Sequence, residues 1–134
     1  MRILTPLTTM TILALSFTPV LAAKMNPAKV EKTSTGTVLA NKAGMTLYTF
    51  SKDKAGKSEC VGKCAAAWPP FAAPASARSG GKWSVVSRPN GKKQWAYGGK
   101  PLYTFVKNKK PGQDKGNGIV HFGGTWKVAR PSRS

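Results

Sequence analysis

Two near-copies of one phrase organise the chain: MTLYTFSKD at residues 45–53 and KPLYTFVKN at residues 100–108. In each copy apolar and polar side chains mix as they do on a β-strand, and residues that favour turns follow. On a strand, Tyr48 and Phe50 share one face while Leu47 lies on the other. The phrase therefore predicts a strand covered on both faces, placed twice in two halves related by approximate two-fold symmetry.

The segments around the two copies also favour strands and tight turns. TVLA, NKAG and MTLYTF predict a strand, a turn with Gly44 at a positive φ, and a second strand. WSVVS, RPNG and KKQWAY predict a hairpin whose turn uses Pro89 and Gly91. Gly98 and Gly99 turn the chain into the second copy, and GTWKVA supplies a last strand. The predicted fold is mainly β, a small single domain of two pseudo-symmetric β-hairpin repeats, either a sandwich or barrel-like.

The first 23 residues have the pattern of a cleavable signal peptide. A basic start, Met1-Arg2, precedes an apolar stretch, and the small residues of VLAA follow. An uncleaved membrane anchor is the alternative, but the prolines and hydroxyl residues of the stretch weaken a spanning helix. No cysteine follows the apolar run, so we expect no lipobox. The predicted location is periplasmic or secreted.

The rest of the chain fits one domain with short ends. Segments 24–35 and 131–134 have little apolar content, and we expect them to be flexible and frayed. The β domain is predicted over residues 36–130, with repeats at about 36–78 and 82–130. An internal repeat of this kind is a stronger inference than any catalytic motif in the sequence.

The charge balance predicts an anionic partner. Lys and Arg number 22 against four Asp and Glu, which gives a formal net charge of +18. An exported chain meets anionic lipids, acidic sugars, cell-wall polymers and acidic proteins rather than nucleic acid, so we expect an anionic envelope component or an acidic protein. Contact with a membrane surface is a further possibility for so basic a chain. The alternative is that the lysines lie in solvated turns and serve solubility alone.

The doubled phrase and the segment between its copies carry a family resemblance. The motif Y-x-[FWY]-x-x-D is filled by Tyr48, Phe50 and Asp53 in the first copy and by Tyr103, Phe105 and Asn108 in the second. The family-like run GKSECVGKCAAAWPP supplies Cys60, Cys64, Trp68, Pro69 and Pro70. Trp126 is the counterpart of Trp68 in the second half. The chain thus resembles the bacterial secreted-repeat proteins named for this motif, many of them lipoproteins, whose function is generally given as unknown. The resemblance implies the fold and an envelope location and supplies no chemistry.

The last motif position differs between the two copies, with Asp53 in the first and Asn108 in the second. Asp and Asn both accept hydrogen bonds from the backbone that follows them, so a turn-forming role survives the exchange. A role in cation binding or acid–base chemistry does not survive it unless Asp114 substitutes. We therefore predict a turn former, with a charge-dependent role as the alternative.

Cys60 and Cys64 are the only cysteines, and an even count in an exported chain predicts a disulfide between them. Residues four apart on a regular helix have β-carbons farther apart than a disulfide prefers, so the bond requires a distorted turn that Gly62 permits. The alternative is a thiol redox protein in which Lys57 and Lys63 lower a thiol pKa.

The sequence offers little material for catalysis or for a cofactor. His121 is the only histidine, no C-x-x-C-H run is present, and four carboxylates give few acid–base pairs. We therefore predict no catalytic residue, no metal site and no cofactor, in a non-enzymatic envelope protein that acts as a basic interaction module. The alternative is a carrier or sensor of haem, a metal or another small ligand that uses Tyr48, Tyr103 and His121.

Overall fold

The computed structural model describes residues 3–4, 11–14 and 26–133, and it confirms a mainly β protein. The strands are β1 Lys29–Thr33, β2 Gly36–Ala40, β3 Tyr48–Phe50, β4 Ala72–Ala73, β5 Trp83–Ser87, β6 Lys93–Tyr97, β7 Lys100–Pro101, β8 Val120–His121 and β9 Gly124–Val128. A single short helix, α1, spans Lys63–Ala67 among these residues. No helix in this part of the chain is long and apolar enough to cross a membrane. The predicted signal peptide, residues 1–23, lies outside the described residues except at 3–4 and 11–14.

The strands form three antiparallel sheets that remain separate over the described chain. β1 pairs with β2, the second sheet has the order β3-β9-β8, and the third has the order β4-β6-β5 with β7 also on β6. The hairpin predicted for WSVVS and KKQWAY is present as β5 and β6, and Gly91 at its turn has a φ of 77°. Gly44 likewise has a φ of 85° in the turn that precedes β3. Turn chemistry was therefore a reliable guide to these hairpins.

Strand β1 corrects the expectation that residues 24–35 are frayed. Lys29–Thr33 pairs along its whole length with β2, with Val30 opposite Leu39. The hairpin end is held by Arg130, whose guanidinium donates to the carbonyls of Thr35 and Thr37 at 2.9 and 3.0 Å. The expectation rested on low apolar content, but a backbone ladder and a side chain from the other end of the domain hold this strand. The C-terminal segment is also tied down, because the backbone N–H of Ser132 donates to the Tyr97 hydroxyl at 3.1 Å.

The second copy of the phrase is not the regular strand that the sequence predicted. Tyr103 makes isolated bridges to Tyr48 and to Pro70, and neither bridge extends into a ladder of several residue pairs. The Thr104 N–H donates to the carbonyl of Pro69 at 2.8 Å. Because prolines lack an N–H group, Pro69 and Pro70 cannot extend the ladder.

The two halves of the chain are interleaved rather than stacked side by side. β3 comes from the first half and pairs with β9 from the second, while Tyr103 from the second half bridges Pro70 of the first. The larger core cluster holds ten buried residues, namely Val38, Tyr48, Phe50, Cys60, Cys64, Trp68, Tyr103, Phe105, Trp126 and Val128. Neither half closes this core alone, which accounts for a single domain.

Candidate functional site

The two motif tyrosines meet at the centre of the molecule. The backbone N–H of Tyr48 donates to the carbonyl of Tyr103 at 2.8 Å, and the N–H of Tyr103 donates to the carbonyl of Tyr48 at 3.0 Å. Both side chains are fully buried. The tyrosines are therefore shared core residues and do not form the walls of an open pocket.

Each tyrosine hydroxyl bonds the last motif residue of the opposite copy. The Tyr103 hydroxyl donates to Oδ2 of Asp53 at 2.6 Å. At the equivalent position of the other pair, Nδ2 of Asn108 donates to the hydroxyl oxygen of Tyr48 at 2.6 Å. The motif thus joins the two halves through a reciprocal pair of side-chain hydrogen bonds, which the sequence reasoning did not anticipate.

The same two residues also bond backbone groups of their own turns. Their backbone N–H groups donate to the carbonyl three residues earlier, at 3.1 Å in both copies. Oδ1 of Asp53 accepts from the N–H of Glu59 at 2.7 Å, and Oδ1 of Asn108 accepts from the N–H of Lys115 at 3.1 Å. Asp and Asn are equivalent in this role, because each presents one oxygen to the backbone. They differ only towards the tyrosine, where Asp accepts and Asn donates.

The Asp53 half of the pair belongs to a larger polar network. Arg88 is buried and donates to Oγ of Ser58 at 2.9 Å and to Oε1 of Gln94 at 2.8 Å. Ser58 in turn lies 2.6 Å from the Tyr103 hydroxyl. Burial raises the pKa of Asp53 above its ordinary value, while hydrogen bonds from Glu59 and Tyr103 and the charge of Arg88 oppose that rise. The network therefore places the buried guanidinium of Arg88 close enough to the Asp53 carboxylate for the two charges to attract each other.

Among the residues that the structure describes, no buried cation lies beside the Asn108 half. The Tyr48 hydroxyl accepts a second hydrogen bond, from the N–H of Gly116 at 3.2 Å. Burial raises the pKa of Tyr48, and the hydrogen bond from Asn108 partly offsets that effect. A neutral amide beside a neutral phenol leaves no buried charge to compensate.

Four aromatic rings from the two halves of the chain stack in a row. Phe50 lies on Trp126 at a centroid distance of 4.1 Å, Trp126 on Trp68 at 4.0 Å, and Trp68 on Phe105 at 4.0 Å. Each tryptophan therefore stacks on the phenylalanine of the opposite motif copy. Such contacts contribute beyond simple burial. The aromatic residues predicted from the doubled phrase form the structural centre of the fold.

The predicted disulfide joins Cys60 to Cys64, with their α-carbons 5.2 Å apart. Gly62 has a φ of 60° and lies directly before α1, so Cys60 remains outside the helix, and the distorted turn is the one that the spacing requires. Both cysteines are buried. The Trp68 N–H donates to the Cys64 carbonyl at 2.8 Å at the helix end, so the crosslinked turn leads directly to a ring of the aromatic stack.

An open groove lies on the outer face of the β3–β9 ladder and has a volume of about 560 Å³. Thr49, Ser51 and Thr125 supply hydroxyl groups to its lining. Its basic residues are Lys54, Lys100 and Lys127, all exposed. We call this feature the basic groove. Thr49 lies opposite Lys127, and because side chains on a strand alternate between the two faces, both lie on the face away from Tyr48 and Trp126; Phe50 also contributes to the lining.

The lysines of the basic groove carry uncompensated charge. The ion pairs formed within the described residues are Lys29 with Glu31 and Lys57 with Glu59, so none of the three groove lysines is paired there. Asp53 is the one acidic residue in the lining, and both of its oxygens already accept hydrogen bonds from the protein. The groove thus offers ammonium and hydroxyl groups to a ligand.

His121 lies apart from the motif residues. Its Nδ1 accepts a hydrogen bond from Nε1 of Trp68 at 3.0 Å. Over the residues that the structure describes, no three His, Cys, Asp or Glu side chains are grouped as metal ligands would be. Nδ1 of His121 and the hydroxyls of Tyr48 and Tyr103 thus each bond a different protein partner.

A mainly β domain of two interleaved repeats, with a reciprocal tyrosine pairing at its axis, defines a pseudo-symmetric repeat protein. Residues 29–72 and 84–130 match the model of a family described as a secreted repeat of unknown function, and the chain belongs to that family. The match confirms the resemblance and the two repeats, and it includes β1 in the first of them. No curated protein and no solved structure matches the chain significantly.

Sequence reasoning found the motif residues but missed their partners. Asp53 and Tyr103 lie in different copies, and only the fold brings them together. Arg88, Ser58 and Gln94 carry no motif of their own. The available signal was Gln94, which shares a strand face with Ala96 and lies opposite Val86 in the hairpin, since a polar side chain among apolar ones needs a buried partner.

Proposed function

We propose that this protein is a non-enzymatic envelope protein that binds an anionic envelope polymer in the basic groove. The observation that carries the proposal is a set of three lysines, Lys54, Lys100 and Lys127, beside a hydroxyl-lined face of the β3–β9 ladder; none of them forms an ion pair within the described part of the chain. A net charge of +18 adds a long-range attraction for any polyanion. We infer export to the periplasm or beyond through the N-terminal leader.

The chemistry of the basic groove favours a polymer with repeated phosphate or carboxylate groups. Lysine ammonium groups are point charges that accept varied geometries, and the hydroxyls of Thr49, Ser51 and Thr125 add hydrogen bonds. An acidic protein is the alternative partner. Protein interfaces usually depend on an aromatic or apolar anchor, whereas the one aromatic ring of the groove lining, Phe50, is already packed against Trp126, which favours a flexible polymer.

The two other candidate functions have less support. A carrier that used the motif tyrosines would need accessible side chains, whereas Tyr48 and Tyr103 are buried and their hydroxyls bond other protein groups. A thiol redox function would need an accessible sulfur, and both Cys60 and Cys64 are buried.

The proposal is tested with defined polyanions, namely linear polyphosphate and polygalacturonate, titrated by calorimetry at low and high salt. We expect binding that weakens steeply with salt. Lys100→Gln combined with Lys127→Gln should weaken binding by roughly 5- to 30-fold at low salt, if each exposed contact contributes about 0.5–1 kcal/mol. The polymer that binds more tightly shows whether the groove prefers phosphate or carboxylate groups.

A matched control removes the same charge elsewhere. Lys109→Gln combined with Lys110→Gln changes two exposed lysines that do not line the groove, and we expect binding close to that of the parent protein. Equal losses in both double variants would mean that total charge, and not the groove, determines binding. Affinity that does not change with salt would contradict the proposal altogether.

A further inference from the structure

The turn between β8 and β9 has an unusual backbone conformation. Phe122 has a φ of 54° and Gly123 has a φ of 78°, and Phe122 is the one non-glycine with a positive φ in the described chain. The flanking residues pair directly, with His121 opposite Gly124. Two-residue hairpin turns of this form favour Asn, Asp or Gly at the first position, and a bulky side chain there is strained. A strained residue of this kind indicates a function that a relaxed residue would not provide.

Apolar side chains are exposed around this turn. Val120, in the same hairpin, is 76% exposed, and Phe122 is 39% exposed. Val61, at 50% exposure, lines the same cleft as Phe122, and that cleft has a volume of about 520 Å³. Removal of such side chains from water is favourable, so a partner that covers them would gain binding free energy. We call Val61, Val120 and Phe122 the apolar tip.

Basic groups lie beside the apolar tip. Lys52 and Lys54 line the cleft with Val61 and Phe122. The Lys52 ammonium lies against the turn, because a β-carbon added at Gly123 would be 3.2 Å from its Nζ. The acidic residue of the cleft, Glu59, is 3.7 Å from the Lys57 ammonium. Exposed apolar side chains flanked by flexible ammonium groups have the composition of an interfacial membrane contact.

We propose that the apolar tip inserts into the surface of a bilayer rich in anionic phospholipid, while Lys52 and Lys54 contact the lipid head groups. Charge complementarity selects this partner, because the lysines attract the anionic surface and the aromatic ring suits the boundary between head groups and acyl chains. The tip cleft borders the basic groove, because Lys54 lines both, whereas Lys100 and Lys127 line the groove alone. The protein would thereby be held at a membrane through Lys52 and Lys54, while Lys100 and Lys127 remain available to a polymer.

The test uses sedimentation with vesicles of phosphatidylglycerol mixed with phosphatidylcholine, and with vesicles of phosphatidylcholine alone. We expect binding to the anionic vesicles only. Phe122→Asn should weaken that binding by about tenfold, since it removes one inserted apolar side chain. The same change should raise the melting temperature, because Asn accepts a positive φ with less strain. A gain in stability together with a loss of binding is a result that a purely structural role would not give.

Two further variants keep the interpretation firm. Val120→Thr alters an exposed residue of the β8–β9 hairpin that carries Phe122 and should also weaken binding, whereas Val30→Thr alters an exposed valine of β1, outside that hairpin and the cleft, and should leave it unchanged. Unchanged vesicle binding in Phe122→Asn would overturn the proposal in favour of charge alone. A lower melting temperature in that variant would overturn the strain argument, and binding to polyphosphate without binding to vesicles would leave only the basic groove as a binding surface.

Discussion

Removal of one hydroxyl from each motif tyrosine should reveal that the two halves are joined by bonds of different character. Tyr103→Phe removes the donor to the Asp53 carboxylate, and Tyr48→Phe removes the acceptor for Asn108 and for the N–H of Gly116. Both rings are fully buried, so each phenylalanine keeps the packing. The two variants therefore differ mainly in the polar groups left without a partner.

The expected losses follow from those groups. At neutral pH, Tyr103→Phe leaves a charged acceptor without its donor and should lower the free energy of unfolding by about 1.5–3 kcal/mol. Tyr48→Phe leaves two buried donors unsatisfied and should cost about 2–4 kcal/mol. The second loss should be independent of pH, because neither an amide nor a backbone N–H group titrates in this range.

The stability loss caused by Tyr103→Phe should depend on pH and should be larger at neutral pH than at acidic pH. The folded-state pKa of Asp53 is raised above its ordinary value of 3.8, chiefly by burial, and the Tyr103 hydroxyl lowers it. Tyr103→Phe removes that lowering, so the folded-state pKa rises further and the ionised form becomes less stable in the fold. The stability contribution of such a group is complete below 3.8 and is lost as the pH rises through its folded-state pKa. The cost of Tyr103→Phe should therefore shrink to about 1 kcal/mol on acidification, when Asp53 is neutral.

Urea unfolding of the parent and both variants, followed by tryptophan fluorescence, measures these differences between neutral pH and the 3.8 of an ordinary aspartate. Comparison with the parent at each pH removes the effects of other titrating groups. If the cost of Tyr103→Phe is the same across this range, the hydroxyl is not coupled to the charge of Asp53. The same conclusion follows if the cost of Tyr48→Phe falls in parallel with it.

Two further predictions concern the packing around the motif. Reduction of the Cys60–Cys64 bond, or Cys60→Ser with Cys64→Ser, should lower the free energy of unfolding by about 2 kcal/mol, measured by urea unfolding with and without reductant. No change would show that the turn holds without its crosslink. Gly116→Ala should lower the free energy of unfolding by about 1–3 kcal/mol or more, because its β-carbon would lie 2.6 Å from the buried Trp68 ring. The control is Gly80→Ala, whose β-carbon would meet nothing within 4 Å. Gly80→Ala should be nearly neutral when both variants are compared by thermal unfolding. Equal melting temperatures for these two variants would contradict the packing argument.

The hairpins, the disulfide and the aromatic core could be predicted from the sequence because each depends on local signals. Gly91 marks a turn, the Cys60–Cys64 spacing marks a short crosslink, and period-two alternation marks a covered strand. Strand β1 could not be predicted from apolar content, because its partner strand and Arg130 hold it. The basic groove was equally out of reach, since Lys54, Lys100 and Lys127 meet only after β3 and β9 pair and the turn at residues 98–99 closes beside them.

The identity of the last motif residue follows from the charge beside it. In the first copy, Asp53 bonds Tyr103, and Ser58 connects that hydroxyl to the buried guanidinium of Arg88. An anion there offsets the cost of a cation removed from water. In the second copy no described cation is buried beside Tyr48, and a carboxylate would be desolvated without compensation. Asn108 keeps the turn and the bond between the halves without that cost. The neutral amide of Asn108 thus fits a position beside which no buried cation is described, whereas the carboxylate of Asp53 lies where the charge of Arg88 favours its ionised form.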